Sequence, residues 1–513
     1  VLAACALFIS FGVLLAPLAG IQNDEALFSA PLYANLNEDV ATFGRPVMVL
    51  SYLGALKTLL YAPILAVAGA NLWSVRLPVI LLGAGTVFFF YLLARDVLNP
   101  RAALLGAFLL ATDPLVVMTT TFDWGPVALH HFLLLTGCCA LLRFARGGAA
   151  RWLVAGFFCF GLAMWNKALF SWTLAGLAVG AALALGPQLR PWLRPRYLAL
   201  AAAGFLVGAA PLVAYNLHHN FATFRDNARL EPAAIPSKWV QLESALQGSS
   251  VFGYIAAEEW VEPRKPPRTA WQRASVWLRA KAGEHRRSGF YWVLGALLLA
   301  APLWWRSRAA WFALLASATS WLLMAATRDA GGAAHHLALL WPFPVLFAAA
   351  ALRRLPLWAM TAAGVLLASS NLLVLNQYHA QLVQHGAWDA WTDAIFPLAE
   401  ALRDPPGPVY IADWGMFDSL NLLHRGRLPL RIATGPLQSV SPTPAELEIL
   451  DRMILDPNGI WVGHVPQREA FPGVGERLAA RARQLGLVRE TIQTIPDSNG
   501  RPVFELWRLQ PPR

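Results

Sequence analysis

The sequence predicts an α-helical polytopic membrane protein of about eleven spans, followed by a small C-terminal α/β domain. Composition points there first, since 57% of the 513 residues are hydrophobic and only 14% are charged. A mean hydropathy of +0.47 lies far from that of soluble globular chains. Apolar runs of about twenty residues, the length that crosses a bilayer, recur from residue 1 to residue 376. Arginines gather in the short links between alternate runs.

The runs fall near 1–20, 73–94, 102–121, 125–142, 152–166, 168–186, 197–217, 289–304, 309–327, 337–352 and 356–376. The first ends without a small-residue cleavage signature and is expected to be a retained span, not a cleaved leader. Arg95 and Arg101, then Arg143, Arg146 and Arg151, then Arg190, Arg194 and Arg196, then Arg306 and Arg308, then Arg353 and Arg354 occupy alternate links. Basic residues in short loops mark the cytoplasmic side, so the other links are expected to face outward. Residues 49–69 are apolar enough to span, but Lys57 and Pro63 sit in their middle and almost no link separates them from the next run. They read as re-entrant or interfacial. The outer side is therefore expected to hold loops 21–72 and 218–288 and the domain 377–513, with 1–376 as the membrane domain. In that last part "PVYIADW" and "GIWVGHV" read as strands, "TPAELEILDRMI" and "GERLAARARQL" as helices, and "DSNG" as a hairpin turn.

A formal net charge of +11 raises nucleic acid as a partner, but no basic stripe or base-stacking module accompanies it. Membrane lipids are the expected surroundings instead. Cys5, Cys138, Cys139 and Cys159 all lie in apolar runs, which gives neither a zinc spacing nor a disulfide framework.

With this topology, distant polar residues meet at the outer face. Asp24 and Glu25 follow the first run, Asp123 ends the third, and His130 and His131 begin the fourth. Asn166 and Lys167 join the fifth to the sixth, His218 and His219 end the seventh, and His335 and His336 precede the tenth. Each has an ordinary structural explanation. Acids suit a helix N-terminus, Asp123 suits an N-cap, lysines snorkel, and Asp113, in mid-run before a proline, suits a hydrogen bond inside the bundle. Gathered at membrane depth, however, ionisable groups indicate a site. Carboxylates there can take the proton of an attacking hydroxyl. A cation, with or without a divalent metal held by carboxylate and imidazole, can hold a phosphate and meet the charge of a leaving group.

"NDEALFSAPLYA", "ALKTLLYAPILAVAGANLWSVRLPVILLGAGTVFFFYLLARDV", "LLATDPLVVMTTTFDWGPVAL", "GLAMWNKALF" and "AAHHLALLWPFPVLFAAAAL" follow one another in an order that resembles the membrane glycosyltransferases of the GT-C fold. The resemblance is to the superfamily of the dolichyl-phosphate-mannose protein mannosyltransferases and the aminoarabinose transferases acting on lipid A, glycosyltransferase families 39 and 83. It covers roughly residues 1–376.

That resemblance implies an inverting transfer of a sugar from a polyprenyl-phosphate donor to a lipid, glycan or protein acceptor, at the outer side of an inner or plasma membrane. It makes Asp24 the catalytic carboxylate, supported by Glu25, and Asp123 the second acidic residue of a metal or acceptor site. Lys57 would bind the donor phosphate, with Arg76, Lys167 and His336 as further phosphate or pocket residues. A divalent metal, if used, would draw on Asp24, Asp123, His130 and His131. The sequence departs from the family beside Lys57, where "KTLLYAP" replaces a proline pair, and beside Lys167, where Asn166 and Ala168 replace threonine and glycine. A lipid-linked-saccharide carrier or transporter without catalysis is the alternative reading of the same cluster.

Overall fold

The computed structural model describes residues 1–33, 41–42, 45–439 and 441–512. Residues 34–40 and 43–44 of the expected loop 21–72 lie outside the described residues. Among the described residues, six helices are long and apolar enough to cross a membrane: Leu72–Val97, Val127–Ala145, Phe170–Trp192, Pro195–His218, Arg308–Ala326 and Leu357–His385. Each coincides with an expected span.

Two further expected spans are broken. Pro100–Thr112 and Pro114–Thr121 meet at 54°, and Ala334–Leu340 and Phe343–Leu352 at 43°. The first break lies at Asp113, whose Oδ1 accepts the Val116 N–H at 3.0 Å and caps the second half. Its Oδ2 accepts the Trp341 indole N–H at 2.9 Å, which ties the two bent pairs together inside the bundle. The other three expected spans fall on shorter helices, Leu2–Leu15, Arg151–Asn166 and Phe290–Leu299. Length and composition thus give six spans, or eight with each bent pair counted once. Residues 49–69 form a short hairpin, Met48–Leu50 with Leu53–Gly54, and a 13-residue helix, Leu56–Ala68, too short to cross.

Close helix packing rests on small residues, as expected where lipid supplies no hydrophobic drive between helices. A Cβ on Gly161 would stand 2.2 Å from the Phe205 carbonyl oxygen, and one on Gly208 2.4 Å from that of Phe158. Helices Arg151–Asn166 and Pro195–His218 therefore touch backbone to backbone. Segment 218–288 is less loop than expected, since it contains helices Ala222–Asn227, Ile235–Leu246 and Ala270–Ala282.

The helix Leu357–His385 runs nine residues past the expected end at 376. Beyond it lies a five-stranded sheet: β1 (Val409–Ile411), β2 (Leu430–Ile432), β3 (Ile460–His464), β4 (Val488–Pro496) and β5 (Pro502–Gln510), in the order β2-β1-β3-β5-β4. The first three are parallel and the β3–β5 and β5–β4 pairs antiparallel. Strand β3 is buried along its whole length, as a central parallel strand with both faces covered must be. Asp497 anchors the β4–β5 turn, accepting the Asn499 and Arg501 N–H groups at 2.9 and 3.0 Å. Helix Thr443-capped Pro444–Ile454 and helix Val474–Gln484 also appear as read from the sequence.

Candidate active site

The hairpin that precedes Lys57 also fixes Lys167. Leu53 bridges Lys167 across a short ladder, Ala168 donates its N–H to the Tyr52 carbonyl at 3.0 Å, and the Trp165 indole N–H donates to Val47 at 2.9 Å. Gly54 has no room for a side chain, because a Cβ there would lie 1.9 Å from the Trp165 carbonyl oxygen. Gly54→Ala is expected to push the hairpin off this turn, at the roughly 1–3 kcal/mol typical of overpacking. Thermal unfolding checks it, and an unchanged Tm would show that the hairpin does not hold the turn.

Asp24 and Glu25 sit side by side in the short helix Asn23–Ala26, yet their surroundings separate them. Gln22 caps this helix, its Oε1 accepting the Asp24 and Glu25 N–H groups at 2.5 and 3.2 Å. Glu25 is fully buried and takes a bidentate pair from Arg76, Nε at 2.6 Å and Nη2 at 2.7 Å. The remaining Arg76 donors go to the carbonyls of Ala16, Ala19 and Gly20, and the guanidinium lies over the Phe122 ring. Since all five donors are committed, Arg76 is not available to a donor phosphate, and Glu25 is its counter-ion. The expected roles of this pair are corrected to a buried clamp that holds the chain leaving the first helix.

Asp24 is only half-buried and joins no ion pair among the described residues. Burial raises its pKa, with the neighbouring Gln22 and Trp124 side chains and the charge of Lys167 pulling the other way.

Asp123 ends the broken third span in a left-handed conformation, φ 50°, which a residue bearing a Cβ adopts only when its surroundings impose it. One oxygen is ion-paired with Lys57; the other lies 2.6 Å from the Tyr61 hydroxyl, itself 2.7 Å from the Val75 carbonyl. Lys57 also donates to the Gly125 carbonyl at 3.4 Å and stands over the Phe28 ring. Phosphate binder and second acid, expected as separate groups, are thus joined to each other.

Lys167 remains. Its ammonium is 1% exposed and makes no hydrogen bond or ion pair among the described residues. Burial lowers its pKa to about 7, against the attraction of Asp24 and with the repulsion of Lys57. Around it lie Gly125, whose absent side chain leaves the His335 ring and the Lys167 Nζ within 4 Å of that point, and His336, packed 4.2 Å from the His335 ring. Trp124 stacks between His335 and Tyr254, at 4.7 and 4.9 Å, and its indole N–H has no hydrogen-bond partner within bonding geometry. A cavity of about 390 Å³ opens beside this group, walled by Tyr52, Ala168, Leu169, Trp172, Phe224 and Asp329 among others. Burial first, and then the charges of Asp24 and Asp329, raise the pKa of the Tyr52 hydroxyl at the cavity wall.

The proposed metal quartet does not assemble. His131 Nε2 is taken by the Ala338 carbonyl at 2.7 Å, and His130 packs against Phe170 and His131. Asp123 is held by Lys57 and Tyr61. Among the described residues no three His, Cys, Asp or Glu side chains gather as a metal group. His218 and His219 stay at the end of their helix, the first exposed and the second stacked on Tyr215.

Sequence reasoning missed three participants. Tyr61 and Trp124 are ordinary aromatic residues of apolar runs, although Trp124 does follow Asp123 directly. Asp418 carries no signal at all. It reaches Asp24 because helix Phe417–Leu423 of the C-terminal part docks on the helix Asn23–Ala26, with the Asp418 N–H on Asn23 Oδ1 at 2.9 Å and Asn421 Nδ2 on the Ala30 carbonyl at 3.1 Å. Burial first, and then the charge of Asp24, push the Asp418 carboxyl up to about 7.

Comparison with known proteins agrees with this architecture. The sequence pattern of the dolichyl-phosphate-mannose-protein mannosyltransferase family matches residues 56–215, the stretch holding Lys57, Asp123 and Lys167. The provisionally named mannosyltransferases YkcB and YycA of Bacillus subtilis (strain 168) are 35% identical over 101 residues and 34% identical over 98. These matches span 20% and 18% of this chain and 14% of each relative. In structure the chain is similar to ArnT from Cupriavidus metallidurans bound to undecaprenyl phosphate, with a TM-score of 0.59 and 13% identity over 98% of this chain and 97% of that one. The apo form gives 0.56 at 14% identity with the same coverage. The GT-C resemblance read from the sequence is therefore shown, and the fold is of that type.

Proposed function

We propose that this chain is an integral-membrane glycosyltransferase that moves a sugar from a polyprenyl-phosphate donor to a hydroxyl or amine acceptor at the outer face of the membrane. The observation that supports the reading is that half-buried Asp24 and buried Lys167 are opposite charges without ion-pair partners among the described residues, the charge of Asp24 acting on Lys167 and the next residue, Ala168, walling the cavity. In this reaction Asp24 takes the acceptor proton as the acceptor attacks the anomeric carbon. The carbon–oxygen bond to phosphate breaks, and the polyprenyl phosphate leaves with the electron pair. Lys167 meets its charge in a site where little water competes. The relatives named for mannosyl transfer and the undecaprenyl phosphate held by ArnT favour this donor class. Among the described residues Asp24, Asp123, His130 and His131 do not gather as a metal group, so no step is assigned to them as metal ligands.

The reading fixes a pH dependence. Lys167 must be protonated to hold phosphate, and its pKa is lowered to about 7, so kcat/KM falls as pH rises through about 7. A bound phosphate favours the protonated form and moves the alkaline limb of kcat to higher pH than that of kcat/KM. Lys167→Arg keeps its charge throughout and should lose that limb; an identical limb in the variant would remove Lys167 from the phosphate site.

The function itself is tested by offering the reconstituted protein a panel of polyprenyl-phosphate-linked sugars and detecting released polyprenyl phosphate by mass spectrometry. Release with sugar transfer is expected for at least one donor. Donors that bind but are never cleaved, with any acceptor, would favour a carrier.

A further inference from the structure

The helix Ala270–Ala282, inside the segment expected to be a polar loop, is built inside out. Its ends are well specified, by a capping box of Thr269 with Gln272 and by Gly283 at φ 84°. The face turned toward the protein is polar. Ser275 Oγ lies 2.9 Å from His379 Nδ1, its carbonyl accepts from Asn376 Nδ2 at 3.1 Å, and Arg279 donates to Gln384 Oε1 at 2.9 Å while pairing with Glu259. The opposite face is apolar and bare: Trp271 is 53% exposed, Trp277 61% and Leu278 38%, with Ala274 between them also exposed. At 100° per residue these four share one side of the helix. Water is a poor environment for such a face.

Its position says what covers it. Apart from Glu259, its polar anchors Asn376, His379 and Gln384 lie on the last turns of the helix Leu357–His385, whose other end follows Arg353 and Arg354. About twenty helical residues cross the hydrocarbon core, so a span starting at Leu357 leaves it close to Asn376. The inside-out helix therefore lies where hydrocarbon gives way to headgroups. Segment 264–287 carries eight Lys and Arg against one acid, Glu284, and Arg268, Arg273 and Lys281 are exposed. Tryptophan on one face, with Arg273 at its edge and Lys281 one turn beyond Trp277 at the helix end, where its long stem lets the ammonium snorkel, is the pattern of a helix lying in an interface of anionic lipid.

We propose that the helix Ala270–Ala282 docks on the membrane surface, with Trp271, Trp277 and Leu278 inserted among acyl chains and Arg273 and Lys281 on the phosphates of anionic lipid headgroups. This proposal is independent of the reaction assigned to Asp24 and Lys167. Its occupant is a lipid leaflet, not a protein, because the basic edges and the place on the span suit headgroups at a fixed depth.

The test uses the full chain in nanodiscs, with Cys5, Cys138, Cys139 and Cys159 replaced by Ala and a nitroxide attached at Trp277→Cys or, as a control on the C-terminal part, at Glu448→Cys. Relaxation by lipid-soluble oxygen should exceed that by a water-soluble nickel chelate at position 277 and fall below it at 448. Nickel access at 277 equal to that at 448 would overturn the docking. Arg273→Glu with Lys281→Glu should raise nickel access at 277 in discs of phosphatidylcholine with phosphatidylglycerol. If those variants, and phosphatidylcholine alone, leave access unchanged, the anionic headgroup is not the ligand. Should the cysteine-free chain fail to fold, quenching of tryptophan emission by brominated lipid answers the same question. It should drop in a Trp271→Ser, Trp277→Ser variant of the native chain, and an undiminished signal would overturn the proposal.

Discussion

Asp24→Asn protein should fold as wild type does and turn over roughly 10²- to 10⁴-fold more slowly, the range that a positioned general base supplies. Donor binding should be nearly unchanged, because the carboxylate acts on the acceptor proton and not on the donor phosphate. Among the described residues Asp24 has no ion-pair partner whose loss would disturb the structure, and Asn preserves its shape. The variant therefore separates chemistry from folding: kcat falls, while the KM for a polyprenyl-phosphate sugar and the Tm stay close to wild type. Wild-type turnover in a folded Asp24→Asn protein would end the assignment.

Arg76→Met should do the reverse. The guanidinium is completely buried, pairs with a completely buried Glu25 and holds three backbone carbonyls. Removing it leaves an uncompensated carboxylate and three carbonyls without their donors, which costs about 3–5 kcal/mol. The helix Asn23–Ala26 is tied to the first helix through this residue, so activity should fall in parallel with the folded fraction. A double variant, Glu25→Gln with Arg76→Met, should recover part of the loss, since a buried pair removed together is far less costly than a buried pair broken. Denaturant titration in detergent measures both. An Arg76→Met protein of wild-type stability but raised donor KM would restore Arg76 to the phosphate site.

The contrast between neighbouring Asp24 and Glu25 shows where sequence reading stops. Composition and run length locate six helices long and apolar enough to span, because a bilayer imposes a length that any apolar stretch must meet. The three runs that become helices of 10 to 16 residues have the composition of spans without the length, and only the folded chain shows where each helix ends. Lys57, Asp123 and Lys167 stand out as ionisable residues in apolar surroundings, which is a physical signal. Which of them is already neutralised by another is not, because pairing joins residues 66 apart in one case and 51 apart in the other. Sequence spacing says nothing about such partners, so Arg76 reads as a spare cation until its five contacts are seen. Asp418 is the extreme case, delivered by docking between parts of the chain almost 400 residues apart.

Of the six charged residues singled out as Asp24, Glu25, Lys57, Arg76, Asp123 and Lys167, those contacts leave Asp24 and Lys167 unpaired among the described residues, and the central claim of the proposed function is a single base in a direct displacement, with no covalent sugar on the protein. The anomeric configuration of the product relative to the donor tests it most directly, by proton NMR of the transferred sugar from a polyprenyl-phosphate donor of known configuration. Attack on the face opposite the leaving phosphate gives inversion, and inversion is the predicted result. Retention would require two successive displacements through a glycosylated side chain, and would contradict the assignment of Asp24 as a base.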